Sequence, residues 1–119
     1  MGVTIARPTD LLSIRHVIAL LEVVQSDAYI AELTAEPEES IPPALTFAST
    51  SRLLSEIRSR NDVSDAETAG QILDEATSLL ELHPVRNTLA GPSLLVLQRV
   101  ALVVLHNTSS KRSDDQSPF

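Results

Sequence analysis

The sequence predicts an all-α fold, a compact antiparallel bundle of about four helices with disordered termini. Two long segments repeat their apolar residues every 3.6 positions, the period of an amphipathic helix. Pro, Gly and capping residues stand where such segments begin and end. No segment alternates apolar and polar residues as a half-buried strand does. A chain of 119 residues is one domain's worth of material, and it buries about two-thirds of its unfolded surface on folding. Hydrophobic residues make up 43% and aromatics only 3% (Tyr29, Phe47, Phe119), so the core is expected to be aliphatic.

Residues 1–8 carry no period and read as an N-terminal arm, followed by a single helical domain over 9–107. Thr9 or Asp10 can cap the first helix, because their side-chain oxygens accept from free N–H groups of a first turn. Apolar residues then fall at 11, 14, 17, 18, 21, 24, 28 and 31, one stripe along the helix. The segment 34–43 holds three prolines and three glutamates and is expected to be an acidic, semi-rigid connection. Its carboxylates, Glu36, Glu38 and Glu39, form either a solvated face or a docking strip for a basic partner.

Pro43 suits the first turn of a second helix, where a missing N–H costs nothing. This helix is expected over 44–59, with Leu45, Ala48, Leu53, Leu54 and Ile57 inward. Its Ser- and Thr-rich middle competes for backbone hydrogen bonds and marks a break near Ser49. Asn61-Asp62-Val63 is a turn, and Ser64-Asp65-Ala66-Glu67 is a capping box that starts a third helix at Asp65. Its stripe is 66, 69, 72, 73, 76, 79 and 80, stopped by His83-Pro84. After a connection over 85–90, Gly91 at the cap and Pro92 at the first position open a fourth helix, expected to end near His106. Leu94 to Leu97 and Val100 to Leu105 leave it almost no polar face, as in a helix buried on most sides. Residues 108–119 read as a disordered tail.

The composition excludes several chemistries. Without Cys there are no disulfides and no thiolate metal sites. His16, His83 and His106 are too far apart for a helical ligand pair, and a calcium loop starting at Asp65 lacks its final Glu, so no metal is expected. Three glycines cannot write a phosphate loop or a dinucleotide fingerprint, so no cofactor is expected either. Gly91-Pro92-Ser93 begins like a nucleophile elbow, but Leu95 replaces its second glycine. A net charge of −7 disfavours nucleic acid. The apolar run 94–105, with Gln98 and Arg99 inside it, is shorter than the ~20 residues of a membrane span. No export signal is seen, so a cytoplasmic location away from membranes is expected.

One pair of residues survives these filters. Arg99 and His106 lie seven positions apart, which on a helix brings them within about 20° of each other, two turns apart. The pair is similar to the Arg-x(4–6)-His motif of HEPN-type ribonucleases. The resemblance covers two residues, and Val100 stands where that family commonly has a polar residue after its Arg. It implies an Arg99 that binds phosphate and a His106 in acid–base chemistry. The composition produces such a spacing by chance about as often as not, and a helix C-terminus suits a cationic His106 for purely structural reasons. The leading expectation is therefore a non-enzymatic interaction module, an adaptor, regulator, inhibitor or assembly domain. It offers a helical face, with Leu102 on its most apolar helix, to a protein partner, a second copy of the chain included.

Overall fold

A computed structural model describes residues 11–60 and 62–115, with side chains described as far as Thr108. The elements are α1 (Ile14–Thr34), a 3-10 turn (Pro37–Glu39), α2 (Ile41–Ser59), α3 (Asp65–Leu80), the one-turn α4 (His83–Arg86) and α5 (Ala90–Asp115). No strand occurs among the described residues.

In α1 the predicted stripe is the buried one: Val17, Leu21, Val24, Ala28 and Ala31. The expected caps, Thr9 and Asp10, lie outside the described residues. The helix starts later, after Ser13, whose N–H donates to Nδ1 of His16 at 3.0 Å. Leu11, counted in the stripe from sequence, precedes the helix and is 69% exposed.

The connection to α2 is shorter than its prolines suggested. Pro42 and Pro43 sit inside the first turn of α2, where no helical acceptor awaits their missing N–H groups. Only 35–40 join the helices, tightened where Glu39 N–H donates to the Glu36 carbonyl at 2.8 Å.

Helix α2 corrects the sequence reading on two points. It runs unbroken past Ser49, and its buried face is Pro43, Thr46, Thr50, Leu53 and Leu54 rather than one led by Leu45 and Ala48. Both threonines are fully buried and satisfy their own hydroxyls. Thr46 donates to the Pro42 carbonyl and Thr50 to the Thr46 carbonyl, each at 2.9 Å. A threonine that bonds back to its own helix presents mainly a methyl group to the core.

Helix α3 matches expectation in bounds and stripe, with Ala69, Ile72, Ala76, Leu79 and Leu80 buried. Ser64 Oγ accepts from the Glu67 N–H at 3.2 Å, one half of the predicted capping box. The connection that follows contains α4, which seats Val85 in the core. Helix α5 starts at Ala90, so Gly91 lies within its first turn rather than at its cap. It continues past His106 to Asp115. The segment 108–119, read as a tail, is therefore helical as far as Asp115, and its last four residues lie outside the described ones.

Cross-helix pairs give the directions. Glu22–Arg58, Gln25–Ser51 and Tyr29–Phe47 run in opposite order along α1 and α2. Arg52–Glu75 and Glu56–Gln71 do so along α2 and α3. The long helices alternate up and down, as short connections favour. Helix α5 packs on α3 and α1, whereas α2 packs mainly on α1. Leu21, Leu54, Ile72, Leu94 and Leu97 are the largest buried side chains, an aliphatic core as the composition required. The α2–α3 seam is instead polar, with Arg52 held to Glu75 at 2.8 Å and Arg60 to Gln71 at 2.6 Å.

Candidate functional site

Helix α5 carries large apolar side chains on its buried face and on its exposed face, and the bundle covers only the first. Ala90, Leu94, Leu97, Ala101 and Val104 are buried against α1 and α3. Leu95, Val96 and Leu102 point the other way and are 48%, 48% and 55% exposed. This corrects the expectation of a helix enclosed on most sides: of Ala90–Thr108, 33% is buried. By length and composition alone, that stretch is long and apolar enough to cross a membrane, a property shared by core helices. The 12-residue run read from sequence thus understated it.

Arg99 and His106 lie on the same exposed face. At 100° per residue, Arg99 runs along its midline, with Leu95 and Leu102 to one side and Val96 and Val103 to the other. His106 follows two turns below. Neither residue lines the cavities described below. No group of three or more His, Asp or Glu that could hold a metal is found among the described residues.

Exposed apolar side chains also occur on α1. Glu22, Gln25 and Tyr29 engage α2, so Val23 and Ile30 occupy the flank turned away from it, 45% and 47% exposed. Thr34 of α1 and Leu89, just before α5, line one cavity. Counting equal rises from there along antiparallel axes puts Ile30 level with about residue 93 and Val23 with about residue 100. Val23 and Ile30 thus stand at the levels of about residues 100 and 93 of α5, on the outer side of Asp27 relative to the buried stripe of α1. Sequence periodicity could not show this placement, because an exposed Val and a buried Val look alike in a continuous apolar run.

The acidic strip lies at one end of the bundle. Glu36, Glu38 and Glu39 are all exposed on the 3-10 turn and its cap. Glu38 and Glu39 line a cavity of about 520 Å³ shared with the end of α1, the prolines of α2 and the α4–α5 connection; Glu36 does not. Leu102 is far along α5, so the structure does not bring the strip and Leu102 together.

A second cavity, about 200 Å³, lies in the α2–α3 seam among Arg52, Glu56, Gln71 and Glu75. Sequence reasoning did not single out Arg52, Glu56 or Gln71. Their signal was present as pairs four residues apart: Arg52 with Glu56, Glu56 with Arg60, and Gln71 with Glu75. Compared with known proteins, the chain matches no family model, no curated protein and no solved structure.

Proposed function

We propose that the protein is a non-enzymatic interaction module whose contact surface is the exposed stripe of α5 together with the outer flank of α1. The observation that carries this reading is the half-exposure of Leu95, Val96 and Leu102 on one face of α5, on either side of Arg99. Large apolar side chains left half-exposed together on one face mark a candidate contact surface. An arginine within such a stripe fits the reading, since interface cores are enriched in Arg and poor in other charges. A second copy of the chain is the partner proposed first, because two-fold pairing is the commonest way to cover a self-complementary face.

Sedimentation equilibrium at tens of micromolar tests this, with Leu102→Glu as the control. The parent should associate, and the variant should be monomeric with an unchanged melting temperature. A variant that unfolds would make Leu102 core and remove the surface. A parent that stays monomeric throughout would remove the second copy as partner.

The shared face of Arg99 and His106 also favours the ribonuclease reading. Its test is RNA cleavage that is lost in both Arg99→Ala and His106→Ala.

A further inference from the structure

We infer that the cavity at the acidic end of the bundle is a second docking site, one that takes a basic segment of a partner protein by seating an Arg or Lys side chain. Three features of the fold converge there. The walls include Ala31, Pro42, Pro84 and Leu89, apolar surface suited to the aliphatic stem of a long cationic side chain. Glu38 and Glu39, both exposed, are among its lining residues, and neither carboxylate has an ion-pair or hydrogen-bond partner among the described residues.

The third feature is the C-terminus of α1. Thr34 and Ala35 line the cavity, so the negative end of a 21-residue helix dipole faces it. No basic residue lies in the last turn of α1 to offset that end. His83 and Arg86, the first and last residues of the adjacent α4, line no part of the cavity.

Carboxylates, dipole and apolar walls converge on this space, and Arg86, next to the lining residue Asn87, does not itself line it. Low-dielectric walls strengthen the field of these carboxylates, and the overall charge of −7 draws a basic partner toward it. Arginine is the better fit, because its fork can meet two carboxylates while its stem lies on proline. The volume, about 520 Å³, is ample for one such side chain and an aliphatic neighbour. This site is distinct from the α5 stripe and does not depend on self-association.

The test is amide-shift mapping on the full chain with the peptide acetyl-Leu-Arg-Leu-Arg-Leu-amide and its glutamate counterpart. The arginine peptide should shift amides of residues 31–43 and 84–90 selectively, with binding in the range of about 1 mM or tighter. Raising salt to about 0.3 M should weaken it severalfold, since the groups are exposed. The double variant E38Q/E39Q should bind about tenfold more weakly, as expected for loss of charge-assisted bonds. The charge-matched control D62N/D74N, altered far from the cavity, should bind as the parent does. The inference is overturned by no shift at about 2 mM peptide, by shifts spread evenly over the acidic surface, by equal binding of the glutamate peptide, or by full binding to E38Q/E39Q. Because the readout is on the cavity, its failure is separable from failure of the α5 surface, which is read from sedimentation of Leu102→Glu.

Discussion

Gly91 stands directly against the backbone of Arg86: a Cβ at Gly91 would overlap the Arg86 carbonyl oxygen and lie 2.8 Å from its carbonyl carbon. The contact closes the corner between α4 and α5 and lets the chain turn within three residues. Gly91 N–H completes the corner by donating to the Thr88 carbonyl at 3.0 Å. Gly91→Ala should cost about 2–3 kcal/mol, because the obstacle is backbone and cannot rotate away. Chemical denaturation of the two proteins measures it, and a cost near zero would mean the corner opens freely.

Gly70 is the opposite case. It lies in the middle of α3, and nothing would come within 4 Å of an added Cβ. Gly70→Ala should raise stability by about 1 kcal/mol, the helix-propensity difference, partly by restricting the unfolded chain. A lowered melting temperature would contradict the open space at this position.

Ser64 caps α3 through the N–H of Glu67. Ser64→Ala should cost about 1 kcal/mol, with helicity lost first at the α3 start in amide exchange. An unchanged melt would place the start of the helix elsewhere.

The two faces of α5 should respond differently to truncation. Leu97 is 1% exposed and Leu102 is 55% exposed. Leu97→Ala should cost about 2–5 kcal/mol through transfer and cavity terms, and Leu102→Ala no more than about 0.5 kcal/mol in the dissociated protein. Equal costs would show that both faces are enclosed.

The α2–α3 seam depends on exposed charge. Arg52, with its side chain 64% exposed, reaches both Glu56 and Glu75. Arg52→Ala should cost about 0.5 kcal/mol at low ionic strength and less in high salt. Denaturation at two salt concentrations would reveal this, and a cost of several kcal/mol would mean the pair is shielded from water.

Helices α1 and α3 were legible because local and global signals agree in them. Their apolar residues recur at 3.6 positions; in α3 polar residues take the other side, and in α1 the stripe Val17, Leu21, Val24, Ala28 and Ala31 still marks the buried face although Val23 and Ile30 lie outside it. The Ser64 cap depends on neighbours three residues away, which the sequence states outright. The aliphatic core follows from composition, since two phenylalanines and one tyrosine cannot fill a domain.

The tertiary structure decided the rest, where hydrophobicity alone is ambiguous. In α2, a threonine can bond its hydroxyl to its own helix, so Thr46 and Thr50 go inside while Leu45 stays 46% exposed. Which of two equivalent faces a helix buries depends on where its neighbours sit. Between Leu94 and Leu105 ten of twelve side chains are apolar, so periodicity names no inner face; the positions of α1 and α3 choose Leu94, Leu97, Ala101 and Val104. The acidic cavity is likewise a product of assembly. Glu38, Glu39 and Leu89 lie some fifty residues apart in the chain, and only the antiparallel return of α5 beside the end of α1 gathers them around one space.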